Sequence, residues 1–180
     1  MPTRLVDLRA PATPDHFRYI DAGVAQGMHQ RYLTSRRKPW YSMERQEAAP
    51  VRATVFGRGK MRFVANDARV RTLTAFHCIY PLSEEKSFVH ALTACLNADF
   101  IQEMSQAHQR AYAGGLHKFE PRDLLDVCVP DLRCVSPGTI RALAAILQRP
   151  DFSGGVEELG CLLLTAAREA QAGAGLSATG

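Results

Sequence analysis

The run Arg36-Arg37-Lys38 stands one proline before Trp40-Tyr41, and these side chains together suit a polyanion that also has flat faces. An arginine fork donates two parallel hydrogen bonds to a phosphate or to a guanine edge. Trp and Tyr rings offer stacking faces for a base or a ribose. Arg58, Lys60 and Arg62 repeat the cationic theme on and beside the turn Gly57-Arg58-Gly59-Lys60. Asn66 suits an adenine edge, and Thr74 is a weaker candidate for a base edge or a turn. Plainer roles compete at each position. A cation run usually forms a solvated face, a Trp after proline is more often a core plug, and an Asn at a turn commonly serves the turn itself. Met43 and Phe63 read simply as core.

Charge distribution favours the polyanion. Residues 31–81 hold 11 of the 22 Lys and Arg but only three acids, Glu44, Glu47 and Asp67. That stretch is therefore +8 in a chain whose total is +4, and the remainder is slightly acidic. A second stretch, Ala111–Leu132, places Gly114-Gly115 ahead of Lys118, expected on a loop where the backbone can approach a phosphate closely.

Catalytic signatures are missing. The chain has no GxGxxG or Walker loop, no GxSxG elbow and no HExxH. His77-Cys78 are neighbours on an expected strand, so their side chains point to opposite faces and make a poor nucleophile–base pair. The five cysteines, Cys78, Cys95, Cys128, Cys134 and Cys161, are odd in number and widely spaced without a CxxC pair. They read as reduced thiols packed in a core, and no zinc site is expected. No catalytic residue and no metal ligand is assigned. With 46% apolar residues the chain can bury a core. No apolar run reaches the roughly 18 residues of a membrane span, and the N-terminus lacks the apolar centre of a signal peptide, so a cytoplasmic protein with no membrane partner is expected.

The elements that must position these residues follow from periodicity. Residues 1–16 read as a lead-in, and Gly23 and Gly27 argue against a long helix before Arg37. Val51–Phe56 alternates apolar and polar residues as a half-buried strand does, Met61–Ala65 returns after the glycine turn, and Leu73–Tyr80 is a third, more buried strand closed by Pro81. Ser83 is expected to cap a helix over 85–111, interrupted near Asn97 and stopped at Gly114-Gly115. A helical turn over Pro121–Leu125 and a short strand over Val127–Val129 come next. Ser136-Pro137 opens a helix to about Arg149, and a last helix covers about 156–171. The expected fold is α+β, a small antiparallel sheet in the first half with helices packed after it. Its divisions are a lead-in over 1–27, a nucleic-acid-reading domain over 28–132, a helical segment over 133–172 and a flexible tail over 173–180.

Two ordered blocks carry a resemblance. The first comprises Tyr32-Leu33, Arg37-Lys38-Pro39-Trp40-Tyr41, Ala49-Pro50, Arg58 and Arg62, Phe63-Val64-Ala65-Asn66 and Ile79-Tyr80-Pro81. The second comprises Gly114-Gly115-Leu116-His117-Lys118-Phe119-Glu120-Pro121 and Val129-Pro130. Together they resemble the target-recognition region of adenine-N6 DNA methyltransferases of the TaqI/Eco57I-like type, over about residues 28–132. In that family a catalytic domain with an S-adenosylmethionine site and an NPPY-type motif precedes the DNA-reading region, and neither motif is present here.

The resemblance implies the specificity half of a restriction-modification methyltransferase: a module that grips double-stranded DNA so that a partner catalytic domain or subunit flips out an adenine and methylates N6. The cofactor, S-adenosylmethionine, would belong to that partner and not to this chain. Arg36, Arg37, Lys38, Arg58, Arg62 and Lys118 are expected at phosphates or bases, Trp40 and Tyr41 at stacking positions, and Asn66 and Thr74 at base edges or turns. An RNA-binding accessory domain, or an interaction module that docks a catalytic subunit, would use the same residues differently.

Overall fold

The computed structural model describes residues 13–42, 47–57, 59–72, 74–106, 110–112 and 115–177. Arg58, Met43 and Gly114 lie outside the described residues. The chain forms two compact units, Met1–Gln46 and Glu47–Gly180.

In the first unit a helix, α1 (Pro14–Ala25), begins with a reciprocal cap. Thr13 Oγ1 accepts from the His16 N–H while the His16 ring accepts from the Thr13 N–H, and Pro14 takes the first helical position. The helix ends at Gln26, before Gly27 at φ +69°. Gly23 does not break it. A β-carbon at Gly23 would come within 2.4 Å of Trp40 Cη2, so the Trp40 ring occupies the space a side chain would need. A 3-10 turn over Met28–Gln30 leads into consecutive turns through Tyr41.

The second unit is α+β, and its first sheet is the expected one. Strand β1 (Val51–Thr54) pairs antiparallel with β3 (Phe63–Ala65) on one side and β4 (Phe76–Ile79) on the other. Val51 and Ala53 are fully buried, whereas β4 is half-buried throughout. The most buried strand is therefore β1 and not the third one, because β1 has a neighbour on both edges.

A second sheet was not expected. Phe56–Gly57 (β2) leaves the first sheet after Val55 and pairs with β6 (Leu116–Lys118), which pairs in turn with β5 (Arg110–Tyr112), all antiparallel. The end of the expected helix and the expected loop around Lys118 are thus a hairpin. Phe119, fully buried, joins the two sheets: its N–H donates to the Val55 carbonyl at 2.9 Å, and its carbonyl accepts from His77 Nε2 at 2.7 Å.

The expected helix over 85–111 is two helices, α2 (Lys86–Asn97) and α3 (Asp99–Gln106). Ser83 does not cap α2; it accepts from the Glu85 N–H in the turn before it, and Glu85 is the cap residue. The break at Ala98 is fixed by Asn97, whose carboxamide donates to the Phe63 carbonyl and accepts from the Phe63 N–H. Helix α4 (Pro121–Leu125) and helix α5 (Pro137–Leu147), capped by Ser136 Oγ accepting from the Thr139 N–H, lie where the sequence puts them. Val127–Val129 is not a strand: both valines turn their side chains onto the cores without a ladder partner.

Helix α6 (Glu157–Ser177) runs past 171 and takes in residues 173–177, expected as flexible tail. Gly173 suits that course, since a β-carbon there would sit 2.9 Å from Cys134 Cβ. Two apolar clusters result. One lies among α2, α3, α5 and α6, and the other packs β1 and β3 with Met61 and Phe119 against α2. The cysteines are mostly not core: Cys95 alone is buried, and Cys128, Cys134 and Cys161 are exposed on helices and turns that pack through other faces.

Candidate nucleic-acid interface

The residues singled out from the sequence fall in both units. In the first, Arg36 and Lys38 are exposed, and neither has a carboxylate partner among the described residues. Arg36 lies with Cζ 3.6 Å from the centroid of the Tyr32 ring, a cation–π arrangement that leaves the guanidinium edge free to donate. Arg37 is half-buried and donates from Nη1 to the Ser42 carbonyl at 3.3 Å, so it also holds the turn. The Lys38-Pro39 peptide bond is cis.

Trp40 and Tyr41 meet edge to face, with centroids 5.7 Å apart and planes at 84°. With Trp40 against Gly23 and both rings half-buried, this pair shapes the unit. The exposed ring beside the cations is Tyr32, at 71% exposure. Sequence reasoning used Tyr32 only as part of a motif. Its spacing of four from Arg36 was the available signal.

In the second unit the sites centre on the first sheet. Strand register puts Val64, Arg52 and Cys78 on one face, away from the core that Val51, Ala53 and Phe63 fill. Arg62 enters β3 on the exposed side, its N–H donating to Thr54 Oγ1 at 3.1 Å, and its guanidinium has no partner among the described residues. Thr74 is exposed in the turn before β4. Thr54 pairs with Phe76 and bonds Arg62, so Arg62 and Thr74 flank the same end of β1. Arg58 lies outside the described residues.

Asn66 is buried and its carboxamide is spent on the loop. Nδ2 donates to the carbonyls of Ala49 and Val70, and Oδ1 accepts from the Val70 N–H. This is the turn role weighed against base reading. The loop so pinned, residues 66–72, carries Arg69, at φ +49° and paired with Glu84, and the exposed Arg71. Lys118 lies on β6, opposite Phe56, half-buried and 2.6 Å from Glu120. Arg36 and Lys38 thus belong to the turns of the first unit, Arg62 and Thr74 to one end of the first sheet, and Lys118 to the second sheet.

The strongest departure from sequence expectation is Arg52. It is 4% exposed on the outer face of β1. Its Nη1 donates to Thr72 Oγ1 and reaches Cys78 Sγ at 3.9 Å, Nη2 donates to the Val70 carbonyl, and Nε has no partner. None of its partners is a carboxylate. Strand alternation alone marked it as a polar outward position and gave no sign of its burial.

A cleft of about 490 Å³ opens along the β3 edge, between the sheet and helices α2, α3 and α5. Arg62 lines it without a partner among the described residues, and its other charged walls are matched. Lys60 pairs with Asp99 at 2.8 Å, and Asp67 accepts from His90 Nε2 at 2.8 Å while also pairing with Lys86. The His90 hydrogen bond leads in holding the Asp67 carboxyl below the usual carboxylate range. Gln148 Nε2 lies 3.1 Å from His90 Nδ1 on the other side of the ring. Among the described residues no group of three or more His, Cys, Asp or Glu is arranged to hold a metal ion. No helix of the described residues is long and apolar enough to cross a membrane.

Comparison with known proteins gives a consistent result. The chain is 38% identical over 108 residues to the Type II methyltransferase M.AccI of Acinetobacter calcoaceticus, a match covering 59% of this chain and 20% of that protein. It is 26% identical over 132 residues to the Type II methyltransferase M.XamI of Xanthomonas campestris pv. amaranthicola, covering 73% of this chain and 24% of that protein. The chain thus spans a fifth to a quarter of the curated relatives it matches. No solved structure matches it. Residues 1–156 match the family described as Type II methyltransferase M.Eco57I, C-terminal domain. With the match covering most of its length, this α+β chain belongs to the family of the C-terminal domain of the Type II methyltransferase M.Eco57I.

Proposed function

We propose that this chain reads double-stranded DNA for an adenine-N6 methyltransferase, acting as the target-recognition part of a cytoplasmic restriction-modification enzyme. The observation that carries this reading is the state of the cations in the basic stretch. Arg31, Arg36, Lys38 and Arg62 are exposed and have no carboxylate partner among the described residues. Elsewhere Lys86, Lys118, Arg133 and Arg149 are neutralised by Asp67, Glu120, Asp131 and Glu158. Arg122 and Arg141, outside the stretch, are also exposed without a carboxylate partner among the described residues, but unmatched surface charge is densest in the stretch that is +8 overall, which suits a phosphate backbone.

In this reading Arg36 and Lys38 position the duplex by phosphate contacts, with Tyr32 supporting the Arg36 plane. Arg62, at the exposed end of β3, reaches a phosphate or a guanine edge, and Thr74 flanks it. Arg37, Trp40, Tyr41 and Asn66 act through the turns they hold. S-adenosylmethionine and methyl transfer belong to a catalytic domain supplied by the remainder of such an enzyme, on this chain's own polypeptide or as a partner subunit.

The test is binding of labelled duplex DNA across a salt series. The expected result is a log–log slope worth several phosphate contacts, reduced by about one for each of Lys38→Ala and Arg62→Ala. Salt-insensitive or absent binding, both alone and with a catalytic domain added, would sink the proposal. Tighter binding to single-stranded RNA than to duplex DNA would replace it with the RNA reading.

A further inference from the structure

Arg52 is a buried cation with too few partners. Its surroundings supply one hydroxyl, one carbonyl and a distant thiol, and its Nε–H is hidden from water without an acceptor. Taking a charge out of water is costly unless an opposite charge and a full set of hydrogen bonds replace the hydration. Several cations of this unit have found acids: Lys60 has Asp99, Arg69 has Glu84 and Lys86 has Asp67. Arg62 has none among the described residues but is exposed, whereas Arg52 is buried without one.

Its cover consists of the stretch from Val70 to Thr72, which follows a loop bearing Arg69 and Arg71. Val70 is held from the other side by Asn66, so the part of this cover beyond Val70 that binds the guanidinium is the Thr72 side chain. A hydroxyl is a neutral acceptor, and a charged oxygen makes a hydrogen bond roughly twice as strong to the same guanidinium.

We infer that Arg52 is the centre of a phosphate-binding site on the outer face of the first sheet, in which a phosphate oxygen displaces the Thr72 hydroxyl and completes the guanidinium at Nη1 and Nε. The inference rests on the duplex-reading proposal for its natural ligand, a phosphate group of the DNA backbone. A buried charge attracts such a ligand more strongly than a solvated one, because less water screens it. The site places the DNA backbone across β1 and leaves Arg62, at the exposed side of β3, for the neighbouring contact.

The test uses the whole chain and inorganic phosphate as probe, added at millimolar concentration against chloride of matched ionic strength. Wild-type Tm should rise by about 4 °C at tenfold saturation. Thr72→Asp gives Arg52 a built-in counterion, so its Tm without phosphate should exceed that of the wild type and its phosphate response should vanish. Its duplex affinity should fall by about tenfold, the loss of one charge-assisted contact. Ala68→Asp, which adds the same charge to an exposed position of the loop, should keep the phosphate response and lose only about two- to threefold in affinity.

Arg52→Met serves as the second variant should Thr72→Asp fail to fold, and it too should lose the response. A wild type indifferent to phosphate overturns the site, as does a full response in either Thr72→Asp or Arg52→Met. A lower Tm in folded Thr72→Asp shows that Arg52 was not short of a counterion and is only a latch for the loop, with the same consequence. The two proposals fail separately. The phosphate series judges Arg52 alone, whereas a wild type that binds no duplex removes the DNA reading whatever phosphate does.

Discussion

The two units hold themselves together differently. None of residues 13–42 is buried, whereas residues 47–177 include two apolar clusters containing fully buried Val51, Ala91, Phe119, Leu143 and Leu159. The first unit is ordered by local devices: the Thr13–His16 cap, the Trp40 ring on Gly23, and the hydrogen bonds of Thr34 and Arg37 to backbone carbonyls. The second is ordered by removing apolar surface from water, which is worth far more. Substitutions in the first unit should therefore register in DNA binding, and those in the core of the second in unfolding.

Phe119→Ala tests the strong side of that comparison. Removing the buried ring that joins both sheets should cost about 3–5 kcal/mol in denaturant unfolding. A loss below 1 kcal/mol would mean that the second sheet is not welded to the first.

Gly23→Ala tests the weak side. Its new methyl group meets the Trp40 ring, and overpacking of this kind costs about 1–3 kcal/mol where it is felt. The single Trp of the chain gives the readout. Its fluorescence should shift and duplex affinity should fall, while the main unfolding transition stays in place. A main transition that moves with it would erase the distinction between the units.

Ser136→Ala, which removes the cap of α5, should cost about 1 kcal/mol. Asp67→Asn should give the smallest effect. The Asp67 carboxyl is held below its unfolded value of 3.8, so its contribution is present above that pH and is lost as the pH falls through the lower native value. With Asp67 half exposed, the variant should lower stability at neutral pH by less than about 1 kcal/mol and flatten the acid limb of the stability curve below about pH 4. Burial pushes the Cys95 thiol up to about 12, so a thiol reagent at pH 8 should modify Cys128, Cys134 and Cys161 in the native protein and spare Cys95.

The parts legible in the sequence are those set by neighbours along the chain. The turn at Asn66-Asp67, the stop at Pro81 and the Ser136-Pro137 helix start all appear in the fold, and the strand expected over Val51–Phe56 appears as β1 over Val51–Thr54, buried at Val51, Arg52 and Ala53. The second sheet was invisible because β2, β5 and β6 are two or three residues each, too short to show a period, and β2 pairs with a strand far along the chain. The same limit hid Arg52. Its exposure depends on where residues 70–72 cross the sheet, which no local pattern encodes. Tyr32 was visible in spacing, but the more conspicuous Trp40-Tyr41 pair drew the stacking role, and Trp40 is committed to Gly23.

Helix α2 is a member of both apolar clusters, giving Val89 and Leu96 to one, Ala91, Ala94 and Cys95 to the other, and Leu92 to both. Leu159, Leu163 and Ala166 of α6 close the second of these, although they lie past residue 156, where the family match stops. A shortened version cut at that point would keep α5 against α2 but uncover the part of this cluster that Leu159, Leu163 and Ala166 close. The second unit should consequently melt as one cooperative block, and the border drawn by sequence similarity is not a border at which the protein can be divided.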